Sequence, residues 1–191
     1  MKKLKVLLVM LSLSLGINTF AQQPTEAEMA TMMENISPGD VQKFMAKSVG
    51  EWTAIMKMYM DPSQPPMEST TKIKEELILG GRYLVGKYTG NMMGMPFEGM
   101  STMAYDNGVN KFYSSWIDNM STGMTQMQGY WKVPNKVIEL FGVSQDPMQG
   151  TEITMRQTIE FVDDNTQKMT MYMVHDGIEM KSIEIVATRI K

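Results

Sequence analysis

The chain has 191 residues, 18 Lys and Arg, 21 Asp and Glu, one His, no Cys and 24 Met. A chain of this length forms one domain with a real core. The absence of cysteine excludes disulfides, Cys-ligated zinc, iron–sulfur clusters, thiol catalysis and a cysteine-linked lipid anchor, and a single histidine excludes metal sites that need two. A charged fraction of 20% and a hydrophobic fraction of 43% suit a globular rather than a disordered chain.

Residues 1–21 read as a secretory signal peptide. Lys2, Lys3 and Lys5 form a positive start, and an apolar run from Val6 to Ile17 follows. Thr19-Phe20-Ala21 then places small residues at the −3 and −1 positions of a cleavage site. The run is short for a membrane span, and no later apolar stretch is long enough to be one. The expectation is an exported protein, periplasmic or extracellular. Cleavage would leave a mature chain starting at Gln22. It would remove three basic and no acidic residues, leaving a balance of −6. Without a basic cluster, such a chain is a poor partner for nucleic acid or an anionic membrane.

Residues 22–49 form a helical lead. Thr25 to Ile36 is helix-compatible, with Thr25 and Glu28 spaced as a capping box, and Ser37-Pro38-Gly39 ends it. Asp40 to Val49 predicts a second helix with Val41, Phe44, Met45 and Val49 on one side, suited to packing or plugging.

From Gly50 to the end the period is two. In the first strand Trp52, Ala54, Met56, Met58 and Met60 share one face, and a Pro-rich connection follows at 61–66. Thr71 to Leu79 alternates Ile73, Leu77 and Leu79 against Lys72, Lys74 and Glu76, and Gly80-Gly81 is a two-residue hairpin signal. Further strands are expected at 82–91, 95–106, 111–118, 123–131, 136–143, 151–161, 167–175 and 179–190. They are joined by Asp, Asn, Gly and Pro turns, including Asp146-Pro147 and Asp176-Gly177. Short turns in series force antiparallel neighbours, and closing the sheet removes two exposed edges. The expectation is a mainly β protein: an antiparallel meander of about ten strands over 50–191, closed into a barrel wide enough for a pocket, with one or two short N-terminal helices.

Several stretches resemble a secreted bacterial family catalogued as domain-of-unknown-function family 1579. They are Gly50-Glu51-Trp52, Pro65-Pro66-Met67-Glu68-Ser69, Leu79-Gly80-Gly81-Arg82-Tyr83-Leu84, Ala104-Tyr105-Asp106, Trp116-Ile117-Asp118 and the run from Ile159 to Asp164. The family usually carries Gly-Tyr-Asp where this chain has Ala104. The resemblance implies a lipocalin-like, fatty-acid-binding-like barrel and no particular activity.

The methionines are the unusual feature, with 22 of them beyond residue 21. Unbranched thioethers fill a core adaptably, and they also make a wall that can repack around varied apolar ligands. Trp52, Met56, Met58, Tyr105 and Trp116 are the candidate lining of such a pocket, and Arg82 or Arg156, if inside, would suit a carboxylate-bearing ligand. A second reading is a Cu(I) or Ag(I) binder built on Met169, Met171, Met173 and His175. Residues i and i+2 on a strand lie ~7 Å apart, too wide for one ion without a partner strand. A third is an enzyme acting on a lipid- or sugar-like molecule through carboxylates. No nucleophile elbow, P-loop or dinucleotide motif supports catalysis, and Glu75 and Glu76 point to opposite faces. The reading favoured is non-catalytic, cofactor-free binding of a small apolar or amphipathic ligand.

Overall fold

A computed structural model describes residues 23–61, 63–145, 150–175 and 177–191, with the backbone only at His175. The expected signal peptide at 1–21, the Asp146-Pro147 turn and Asp176 lie outside the described residues. Helix α1 (Glu26–Ile36) starts as expected: the Thr25 hydroxyl accepts from the Glu28 amide at 3.2 Å, and the Glu28 carboxylate accepts from the Thr25 amide at 2.7 Å. Helix α2 (Asp40–Met45) is shorter than the pattern suggests. It tightens into a 3-10 turn at Ala46–Ser48, which leaves Val49 exposed instead of packed.

Ten strands follow: β1 (Gly50–Met58), β2 (Met67–Ile78), β3 (Tyr83–Met92), β4 (Met95–Asp106), β5 (Lys111–Asp118), β6 (Thr125–Val133), β7 (Val137–Gln145), β8 (Glu152–Asp163), β9 (Thr166–His175) and β10 (Ile178–Arg189). Each pairs antiparallel with the next. β10 returns to β1, from Trp52 opposite Arg189 to Met58 opposite Ile183, and closes the barrel. No sheet edge is left open.

The β2–β3 connection corrects the expected two-residue hairpin. Ile78 pairs with Tyr83, so the turn has four residues, Leu79 to Arg82. Leu79, Gly80 and Gly81 all take positive φ, a run of left-handed residues that a two-residue turn has no room for.

The up-and-down path puts the connections after β2, β4, β6 and β8 at one end, together with the helices. That end is plugged. Met45 of α2 packs against Phe112, Ile138 and Leu140, all fully buried. Phe44 meets Trp131 and Phe161 edge-on at 5.2 and 4.8 Å. The buried Gln42 side chain donates to the Tyr105 carbonyl at 2.9 Å and accepts from the Gly39 amide at 2.8 Å, so no polar atom of the plug is stranded. The opposite end carries the connections after the odd-numbered strands, and its described residues Met92, Met120, Ser121 and Gln145 line the interior. Among the described residues no helix is long and apolar enough to cross a membrane.

Candidate ligand cavity

Above the plug the barrel holds a cavity of about 410 Å³, within the ~300–1,000 Å³ usual for small-ligand sites. Period-two alternation supplies its wall. Inward positions of β1 bring Trp52, Ala54, Met56 and Met58, and those of β9 bring Met169, Met171 and Met173. Among the described residues ten methionines line the space, mixed with Trp116, Phe97 and small residues such as Ala187. The wall is therefore apolar and polarizable, its thioethers interleaved with branched side chains such as Ile73, Ile153, Ile183 and Ile185.

Trp52 and Trp116 are held in different ways. The Trp52 indole donates to the Ser48 carbonyl at 2.9 Å, and the Arg189 guanidinium stacks on its ring at 4.1 Å. Arg189 donates in turn to the carbonyls of Val49, Asp164 and Lys47, clamping the 3-10 turn to the wall. Trp116 donates to the Asp118 carboxylate at 2.6 Å, and the other carboxylate oxygen accepts the Met120 and Ser121 amides. Tyr88 meets the Trp116 ring edge-on at 4.9 Å. Gly99 makes room for Trp116: a Cβ there would lie 2.5 Å from the indole. Gly99→Ala is expected to push Trp116 into the cavity at a cost of ~1–3 kcal/mol, measured by chemical denaturation and a shifted tryptophan emission.

Of the sequence-predicted site residues, Trp52, Met56, Met58 and Trp116 line the cavity. The others do not. Tyr105 faces inward below it, in the plug, 4.7 Å from Phe112 with its hydroxyl bonded to Asn110. Arg82 sits in the β2–β3 turn at the closed end and donates to the carbonyls of Ile36 and Leu79. Arg156 is on the outer wall, because its neighbours Met155 and Gln157 take the inward positions of β8. There it pairs with both Glu179 oxygens at 2.7 Å, reaches Glu139 at 3.1 Å and stacks on Tyr172. Neither arginine offers a cation to a guest. Met169, Met171 and Met173 do share the inner face, and Met155 is the cross-strand partner of Met173. The His175 side chain lies outside the described residues. Among those described, no three His, Cys, Asp or Glu side chains come together in a metal-holding group.

The residue that the sequence reading passed over is Glu75. It lines the cavity, while Glu76 is outside, 3.9 Å from Lys87. The Glu75 Oε2 atom is buried without a hydrogen-bond partner; the other such side-chain atom among the described residues is Ser69 Oγ. Burial pushes the Glu75 carboxyl up to about 7, against the lowering influence of the Arg189 charge. Burial, reinforced by Glu75 and opposed by the neighbouring Ser101 hydroxyl, holds the Tyr88 phenol well above the usual tyrosine range.

A closed antiparallel ten-strand barrel, plugged at one end and hollow at the other, is a lipocalin- or fatty-acid-binding-like architecture. The chain belongs to the family described as "Protein of unknown function (DUF1579)", whose profile matches residues 37–189. No curated protein matches the sequence significantly. Among solved structures it is similar to Rv2717c from M. tuberculosis, with a TM-score of 0.60, 14% identity, and 81% of this chain and 100% of that chain covered. It is also similar to the S-type phycobiliprotein lyase CPES from Guillardia theta, with a TM-score of 0.54, 11% identity, and 84% and 97% covered. At these identities the likeness is one of fold.

Proposed function

We propose that this protein is an exported binding protein that holds one small, mainly apolar or amphipathic molecule in its barrel without transforming it. The observation that carries this reading is the thioether- and aromatic-lined cavity of about 410 Å³. Apolar walls with a few polar points are what small-molecule sites use. Methionine walls add tolerance for shape, because thioether side chains repack with little strain. Export rests on the signal-like residues 1–21, and the mass of the secreted chain tests it: cleavage after Ala21 leaves Gln22 first.

The cavity is tested with N-phenyl-1-naphthylamine, an uncharged probe that fluoresces in apolar surroundings. One probe per chain is the expected stoichiometry. Ala54 and Ala187 face each other across β1 and β10 and both line the space, so Ala187→Phe fills it from the wall. That variant is expected to weaken the probe at least about tenfold while melting cooperatively, since overpacking costs ~1–3 kcal/mol. Equal binding by the variant would place the probe elsewhere.

A second reading is favoured by the pairing of Met155 with Met173, which supplies the partner strand that thioether coordination of Cu(I) or Ag(I) requires. Titration with Cu(I) under reducing conditions tests it, and absence of uptake at micromolar ion removes it.

A further inference from the structure

The cavity wall is not electrically neutral in its choice of guest. Among the described residues two carboxyl groups face it, those of Glu75 and Asp118. The Asp118 oxygens are taken up by the Trp116 indole and by the Met120 and Ser121 amides. Glu75 Oε2 has no partner. No basic group among the described residues offsets them from within. Lys168 contributes to the lining, but its ammonium pairs at 3.1 Å with Glu184, which alternation on β10 places on the outer wall. Arg189 lies against the Trp52 ring, and its N–H groups are directed to three backbone carbonyls.

The surroundings of Glu75 keep it open to a guest. Its cross-strand partners are both glycines, Gly50 on β1, where the Arg189 guanidinium takes the space a side chain would fill (a Cβ would lie 2.7 Å from Nη1), and Gly86 on β3. A Cβ at Gly86 would collide with the Ser101 hydroxyl at 2.7 Å and the Tyr88 ring at 2.9 Å, so the missing side chain is what lets those groups sit beside the carboxyl. The Tyr88 ring then lies beside the carboxyl and meets the Trp116 ring edge-on, and an aromatic ring next to a carboxyl favours cations and N–H or O–H donors.

We propose that Glu75 anchors the polar head of the ligand, and that the ligand is an amphiphile whose head donates hydrogen bonds and carries no negative charge, an amine or an alcohol on an apolar body rather than a carboxylate. A donor head satisfies the open carboxyl oxygen. A carboxylate head meets a second carboxyl, and the nearest cation, Arg189, already acts on Glu75 and has its N–H groups taken by backbone carbonyls. This inference rests on the cavity being a binding site for amphiphiles, and it names the head group.

The test uses the mature chain with N-phenyl-1-naphthylamine bound, displaced in turn by dodecylamine, dodecanol and dodecanoate at pH 8. The amine and the alcohol are expected to displace the probe at concentrations at least about tenfold below those needed for the carboxylate. Glu75→Gln is expected to weaken the amine by about tenfold and to leave the alcohol within about threefold of wild type. Glu76→Gln makes the same charge change on the outer wall of the same strand and is expected to keep the wild-type order, which separates the cavity from general surface charge. The wild-type ranking needs no variant to fold. If dodecanoate displaces as readily as dodecylamine, or if Glu75→Gln folds and keeps the wild-type order, the proposal for Glu75 is overturned while the binding reading stands. If neither the probe nor any of the three chains enters the barrel, both fall.

Discussion

Phe112→Ala is expected to lower stability by ~3–5 kcal/mol, the usual loss for truncating a fully buried phenylalanine. Phe112 has no exposed surface and sits where the N-terminal lead meets the barrel. It packs with Met45 of α2 and with Ile138 and Leu140 of β7, with ring contacts to Tyr105 at 4.7 Å and Trp131 at 4.9 Å. Its removal leaves a void between plug and barrel, and α2 is too short to close it by itself. For a chain of this size a loss of that order lowers the melting midpoint by roughly 10 °C. Phe141→Ala is the control. That ring is about half exposed on the outer wall, and the change is expected to cost less than ~1 kcal/mol. Equal losses in the two variants would mean that the plug contributes nothing particular to the fold.

Glu75→Gln is expected to stabilise the protein, and to do so only on the alkaline side. In the folded chain the carboxyl titrates at about 7, above its ordinary 4.5. Below about pH 4.5 it is protonated in both folded and unfolded chains and costs nothing. From about pH 4.5 to 7 the unfolded chain has released the proton while the folded chain still keeps it, and above 7 both are ionised and the loss stays constant. Stability therefore falls across this window. At ~1.4 kcal/mol per pKa unit the upper limit is ~3 kcal/mol at pH 8. The facing Tyr88 does not share the window, since burial raises its phenol and keeps it protonated. Melting curves are expected to show Glu75→Gln close to wild type at pH 4.5 and raised by several degrees at pH 8. Parallel curves at both pH values would show that Glu75 ionises freely.

Much of this architecture was legible in the residues. Alternation located all ten strands, and the Thr25/Glu28 spacing located the start of α1, because both signals are local. The Gly80-Gly81 turn was misjudged in length, since nothing local announces that Leu79 takes a left-handed conformation. Trp52, Met56, Met58 and Trp116 were placed on the lining by strand position. Parity was also available for Arg156, which alternates with Met155, and for Glu75, which shares its face with Ile73. Arg156 is weighed in the sequence by its fit to a guest's carboxylate, and Glu75 only by its inability to share a proton with Glu76, so parity is not applied to either. The outer ion pairs of Arg156 and the orphan oxygen of Glu75 come from strands far apart in the chain, so no short window contains them. Whether the barrel is hollow depends on how inward side chains from all the strands fill it together, which periodicity does not encode.

Occupancy is read most directly by native mass spectrometry of the protein recovered from its own cells without detergent. The expected result is a single non-covalent adduct of one small molecule per chain, lost in Ala187→Phe. A bare chain in every preparation, joined by failure to take up any apolar probe, would contradict a binding role for the barrel.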